Sequence, residues 1–353
     1  MSDDKYIAYV GTHTHGTSNG IEIYDVDSVN GGLKFRKEVP VNNPSHIKVS
    51  GSQKVLYSIA DEGIIAFRIL PDGDLEEINR IWTGGMRGTH LAISADKRFL
   101  ACAGYHDGSV TLIKLSTETG ELLGVTDKIY HNAMGRCIAM RSSRPHVNCV
   151  RFTPDGEYLC AVDGGLDRVE VYKVDYTTGK LTQTVTVRGQ LDSAPKSMNF
   201  SNDGRFAYLI CELLNCIDVF KYSLVNGKPE FKLIQVVPTC SEVDFKQCSA
   251  IGLYKSRDDS HIFATNAGIN TALVFDRDEN TGLLTKICDC KVSGQFPKVI
   301  RSYPGDEYML TLNYDSSEIC TFKICYDKGY FLMSGTPVKI DKPNVVTFLK
   351  LDK

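Results

Sequence analysis

Short stretches in which apolar and polar residues alternate run through this chain, and most are bounded by Gly, Asp, Asn or Ser. A period of two sends successive side chains to opposite faces of a strand, and a helical period is hard to find anywhere. One phrase recurs: an alternating strand, a turn containing glycine, and a second short strand. It reads "GIEIYDVDSVNGGLKF" from Gly20, "GIIAFRILPDGDLEEI" from Gly63, "GSVTLIKLSTETGELL" from Gly108 and "DRVEVYKVDYTTGKLT" from Asp167. It continues as "NCIDVFKYSLVNGKPEF" from Asn215, "NTALVFDRDENTGLLT" from Asn270 and "SEICTFKICYDKGYFL" from Ser317. These seven copies have a mean spacing of about 50 residues, which marks a repeat architecture.

A second phrase precedes the copies, as in "HLAISADKRFLACA", "CVRFTPDGEYLCAV" and "MNFSNDGRFAYLIC". Each is a strand, a polar turn that often contains Asp-Gly, and another strand. Asp-Gly favours a tight hairpin turn because glycine accepts positive φ. The whole unit is therefore four antiparallel strands, and seven units predict an all-β, seven-bladed β-propeller spanning residues 1–353 as one domain. A pair of β-sandwiches would also give short strands at regular spacing, but seven like units without a linker favour the propeller. The single tryptophan, Trp82, is not followed by Asp, which disfavours a WD-repeat propeller. The last strand, "NVVTFLKL" from Asn344, and the first, "YIAYVGT" from Tyr6, each lack partners locally, so their pairing should close the ring and remove two edges.

Composition narrows the class further. The 40 basic and 43 acidic residues of this 353-residue chain leave a formal net charge of −3, which gives no electrostatic reason to expect nucleic acid or a membrane surface as partner. No apolar run reaches the length of a membrane helix, and the first residues lack a basic-then-apolar export pattern, so a cytoplasmic protein is expected. The twelve cysteines show no CxxC spacing, and several fall inside apolar strand-like runs, which points to free buried thiols.

The chemistry should lie at one end of the central channel. The loops leading into the innermost strands read "NPSHI", "GTHLA", "RPHVN", "APKSM", "CSAIG", "FPKVI" and "KPNVV". Proline stands in five of them and stiffens the approach. They offer His46, His90, Arg144, His146, Asn148, Lys196, Lys298 and Asn344. The turns joining second to third strands lie on the same face and add Asp61, Tyr105, Asp163, Glu212, Asn266 and Asn313. Asp163, before a Gly-Gly turn, reads as an Asp that bonds its own backbone. Glu212 follows the apolar run "FAYLIC", a setting that points to a raised pKa and a general-base role. Lys196 and Lys298 suit an anionic group or a tetrahedral oxyanion. A metal held by His46, His90 and Asp61 lacks a recognised spacing, so neither metal nor cofactor is expected. No GxSxG, Walker or GxGxxG motif occurs.

These segments carry a resemblance. "YVGTHT", "GIEIYDVDSVNGGL", "NPSHI", "RPHVNCVRFTPDGEYLCAVDGGLDRVEVY", "APKSMNFSNDGRFAYLICEL", "FPKVI" and "LNYDSSEICTF" resemble the lactonase family of seven-bladed propellers, which includes bacterial 6-phosphogluconolactonases and fungal carboxy-cis,cis-muconate cyclases. The resemblance implies a lactone hydrolase acting on a sugar lactone of the 6-phosphogluconolactone kind. On that reading Glu212, His146 and Lys196 are catalytic, while His46, His90, Arg144, Asn148, Lys298, Asn266 and Asn313 bind substrate. A muconate-cyclase-like enzyme and a non-catalytic binding propeller are the alternatives. His146 keeps the first histidine of the family's His-x-His, and Asn148 stands where the second would be. Lys196, Ser197, Ala267 and Lys298 replace an arginine, a histidine, an arginine and an arginine. Lysine is a point charge where arginine is a two-pronged fork, so the anion grip is altered. The expected partner is a small anionic substrate, and the expected assembly a monomer or weak homodimer.

Overall fold

The computed structural model describes residues 5–52, 54–133 and 144–351. Seven four-stranded antiparallel sheets are arranged as blades. The innermost strands of blades two to seven are Ile47–Val49, His90–Ile93, Val147–Phe152, Pro195–Phe200, Ser249–Lys255 and Pro297–Ser302. In blade seven the outer position is shared by Tyr330–Met333 and Val338–Lys339, which both pair with Glu318–Cys325. The only helical turns among the described residues are the 3-10 segments Phe245–Gln247 and Tyr326–Lys328.

Blade one closes the ring as the terminal strands require. Pro343–Lys350 is its innermost strand and pairs antiparallel with Tyr6–Thr12, from Tyr6 opposite Lys350 to Gly11 opposite Val345. The N-terminal end supplies the other three strands of that sheet.

Each strand copy begins where the chain turns from the second to the third strand, and the turn explains the residue types found there. Gly108, Asp167, Asn215, Asn270 and Ser317 have φ of 65°, 51°, 48°, 54° and 51°. That left-handed region is open mainly to glycine and to short polar side chains.

The core is divided among seven apolar clusters, one at each contact between neighbouring blades. Blades four and five, for example, meet through Cys149, Cys160, Val171, Met198, Leu209 and Cys211. Blades seven and one meet through Tyr303, Leu310, Ala8 and Val346. Tyrosines reinforce these contacts by reaching across to a glycine carbonyl of the next blade. Tyr9 donates to Gly73 at 2.7 Å, Tyr57 to Gly120 at 2.8 Å, and Tyr208 to Gly282 at 3.1 Å. All eleven cysteines among the described residues are free thiols, most of them buried, and Cys137 lies outside those residues.

Candidate functional site

Five innermost strands carry an irregularity at the same end. Their pairing with the second strand skips one residue: Asn344 in blade one, Asn148 in blade four, Lys196 in blade five, Ile251 in blade six and Lys298 in blade seven. A bulge leaves the extra residue out of the ladder and re-aims its side chain. The innermost strands of blades two and three pair without a skip. His46 and His90 accordingly stand one register step further along the channel, His90 opposite Ala103 and His46 with its carbonyl bonded to the Ile59 N–H.

At the bulged level, Lys196 Nζ donates to Glu212 Oε2 at 2.8 Å. Glu212 is the first residue after the second strand Phe206–Cys211, and its N–H bonds the Ala194 carbonyl at 3.0 Å. The apolar setting expected for Glu212 is thus shared with an ammonium group. Lys298 comes from blade seven, two blades on, and no carboxylate pairs with it among the described residues. Burial, and then the positive charges of Lys196 and Arg87, push its pKa down to about 8. Its ammonium lies 4.8 Å from the centre of the Tyr314 ring, and that of Lys342 lies at the same distance.

Tyr314 extends the cluster. Its hydroxyl meets His13 Nδ1 at 2.8 Å, and the two rings sit edge to face. Burial, reinforced by Lys298 and Arg87, lowers the His13 pKa to about 3, so the ring is neutral in ordinary buffers. With Tyr314 as donor, the imidazole proton sits on Nε2. Arg87 is neutralised by Asp61 at 2.8 Å, and the other Asp61 oxygen accepts from Asn43 at 2.6 Å. His13, Arg87 and Tyr314 are functional candidates that the sequence reading passed over. Their signals were present: "GTHTH" ends a second strand, "GMRGTH" leads into a first strand, and Tyr314 directly follows Asn313.

His146 is buried and stacked on Tyr105 with ring centres 4.3 Å apart. Its Nδ1 donates to the Tyr105 carbonyl at 2.8 Å, which leaves the lone pair of a neutral ring on Nε2. Its own N–H bonds Asp163 Oδ1 at 2.9 Å. That oxygen also accepts from the Gly165 and Leu166 N–H groups, so Asp163 is a backbone hub, and its second oxygen meets His131 at 2.6 Å. Asn148 donates to the Pro195 carbonyl at 3.2 Å and so ties blade four to blade five. The Arg144 side chain is exposed.

Other sequence candidates are placed elsewhere. Asn266 and Asn313 are fully buried at strand ends, where they brace the turns; Asn266 donates to Thr239 O and Thr271 Oγ1, and Asn313 to Cys320 Sγ. Asn344 is buried and bonded to the Ser45 carbonyl. His46 and His90 form a ring pair, 4.2 Å between centres, inside the channel. Asp61 does not join them. The metal-competent cluster among the described residues is Cys211, Cys216 and Asp218. Both thiols point their protons at Asp218, at 3.6 and 3.7 Å, and the Cys211 thiol is raised well above its usual pKa by Cys216 and burial. The trio is thus a buried, hydrogen-bonded group.

A seven-bladed propeller with a cationic, carboxylate-bearing cluster at one channel mouth is a candidate site for a small molecule. The family model "Lactonase, 7-bladed beta-propeller" matches residues 7–348, and the chain belongs to that family. It is 27% identical to the 6-phosphogluconolactonase of Bacillus subtilis strain 168, over 98% of this chain and 99% of the relative. Among solved structures it is similar to a periplasmic gluconolactonase of Pseudomonas aeruginosa, with a TM-score of 0.91, 26% identity, and coverage of 99% of this chain and 100% of that one. A putative 6-phosphogluconolactonase of Bacteroides fragilis NCTC 9343 gives a TM-score of 0.89 at 26% identity, covering 98% of both chains. No helix of the described residues is long and apolar enough to cross a membrane.

Proposed function

We propose that this propeller hydrolyses an anionic sugar lactone of the 6-phosphogluconolactone class at the mouth where Lys196, Glu212 and Lys298 meet. The observation that carries this reading is the bulged presentation of two lysines from non-adjacent blades, one bonded to Glu212 and the other facing the channel without a paired carboxylate among the described residues. The name of the Bacillus subtilis relative supports a phosphorylated lactone as substrate.

The chemistry needs a base, a stabiliser for developing negative charge, and positioning. Water forms a bond to the lactone carbonyl carbon while its proton passes to the Glu212 carboxylate. The carbonyl electron pair moves onto oxygen, and the resulting oxyanion faces a lysine ammonium. Collapse re-forms the carbonyl and breaks the bond to the ring oxygen. That oxygen takes the proton back from Glu212, which leaves the open-chain acid. The second lysine is available to the substrate's own anionic group. His146 Nε2, in an entry loop of the same face, offers another proton acceptor.

Replacing Glu212 tests the assignment. Glu212→Gln keeps size and hydrogen bonding but removes the base, so acid release from 6-phosphogluconolactone should fall about 10²- to 10⁴-fold. Its thermal midpoint should stay near that of the wild type. Turnover retained in the variant would remove Glu212 from the mechanism. A wild-type protein that binds sugar acids but hydrolyses no sugar lactone would instead be a binding propeller.

A further inference from the structure

Below the two histidines the channel opens into a second cavity of about 240 Å³, lined by His46, His90, Lys48, Arg151, Tyr254 and Arg301 among others. Strand register places its central residues in one ring. Lys48 lies opposite Tyr57, Arg151 opposite Cys160, Asn199 opposite Tyr208, Arg301 opposite Leu310 and Thr347 opposite Tyr9. Each of those partners is the fourth residue from the end of its second strand, so the five stand at one height around the axis. Three of them are cations, contributed by blades two, four and seven.

No carboxylate meets Lys48, Arg151 or Arg301 among the described residues. Arg151 donates to the Met198 carbonyl at 2.9 Å and to Asn199 at 3.0 Å, both neutral partners. Arg301 lies over the Tyr254 ring at 4.4 Å. Lys255, also on the wall, is already paired with Asp259 at 2.9 Å. On the side of the candidate lactone site stand the His46 and His90 rings. His46 Nδ1 accepts from the Leu91 N–H at 3.2 Å, which leaves a donor on Nε2, and His90 Nδ1 is buried without a hydrogen-bond partner. On the opposite side the wall includes exposed Arg257, in the turn after the innermost strand of blade six. This cavity therefore opens toward the face away from Glu212.

Like charges gathered out of bulk water are costly unless something of opposite sign joins them. We infer that this ring is a binding site for a phosphoryl dianion, either free or carried on a small molecule, distinct from the lactone site. Two guanidinium forks and an ammonium match the oxygens of a phosphate. The volume leaves room for a short carbon chain beyond the phosphoryl group. Burial and the charges of Arg151 and Arg301 lower Lys48 to a pKa of about 8, the expected response of a cation awaiting an anion.

The test is calorimetric titration of the full chain with inorganic phosphate and, separately, glycerol 3-phosphate, with ionic strength held by chloride. Wild type and Lys298→Met should both bind, and Arg301→Met should lose at least about tenfold in affinity, as when one partner of a buried charge contact is truncated. Tighter binding of glycerol 3-phosphate identifies a carried phosphoryl group, and equal binding identifies free phosphate. Should Arg301→Met not fold, Lys48→Met replaces it. Removing one of three like charges should leave its thermal midpoint in chloride unchanged or higher, and abolish the rise that phosphate produces in the wild type. The inference is overturned if neither ligand binds, or if the ring variants bind like the wild type. It is also overturned if Lys298→Met is the variant that loses phosphate, because the anion then sits at the lactone site.

Discussion

At the scale of single residues, Lys298 is the group whose surroundings most constrain its chemistry. It faces Lys196, Arg87, Glu212, Asp315 and the Tyr314 ring, with neutral His13 behind. An ordinary lysine keeps its proton to 10.5, whereas this one gives it up near 8. Two consequences run in opposite directions. Protonated Lys298 is disfavoured by the fold, so its contribution to native stability improves as pH rises from about 8 toward 10.5. An anionic substrate needs that same proton, so kcat/KM, corrected for spontaneous lactone opening, should fall above about pH 8. In Lys298→Met the fall should vanish, and kcat/KM should drop roughly tenfold to a hundredfold at pH 7, the range for a lost charged hydrogen bond. A Lys298→Met profile that still falls near pH 8 would assign the titration elsewhere. The lysines were legible in the sequence because proline marked their loops. His13 and Arg87 lie in loops of the right face, but nothing local says that those loops converge on the same point.

At the scale of elements, the bulges decide which side chains reach the mouth. Proline rigidity explained most of the approach loops, yet it did not show that Lys196 and Lys298 stand at another level than His46, whose loop also carries a proline. One skipped pairing separates them by a register step. Turn chemistry was easier to read. The Asp-Gly-Gly-Leu turn after Tyr158–Asp163 packs so closely on "RPHVN" that a Cβ on Gly165 would stand 1.8 Å from the Arg144 carbonyl oxygen. Gly165→Ala must therefore move backbone and should cost about 1–3 kcal/mol, as overpacking does. Denaturant unfolding would measure it, and a midpoint equal to that of the wild type would mean that the loop shifts freely. Because the same loop holds His146, turnover should fall with stability in this variant.

At the scale of the whole molecule, closure matters most. The seven interblade cores form a circle, and blade one exists only when the two chain ends meet. Deleting residues 344–353 removes its innermost strand, together with buried Val345, Val346 and Leu349 and with Thr347 of the channel ring. The loss should be comparable to the entire stability of a typical domain, about 5–15 kcal/mol. The truncated chain should melt without a single sharp transition, and one that melts like the full chain would show that the clasp is dispensable.

The sequence by itself determined the strand period, the number of blades, the closing pair of strands and the face on which polar chemistry gathers. All of these follow from local alternation and turn residues repeated seven times. Only the tertiary structure decided how the channel is divided along its axis. Residues on separate blades share a height through register and bulges, which depend on pairing between strands rather than on neighbours in the chain. That is why Lys298, His13 and Tyr314 form one cluster, why His46 and His90 stand below it, and why Lys48, Arg151 and Arg301 meet in a cationic ring.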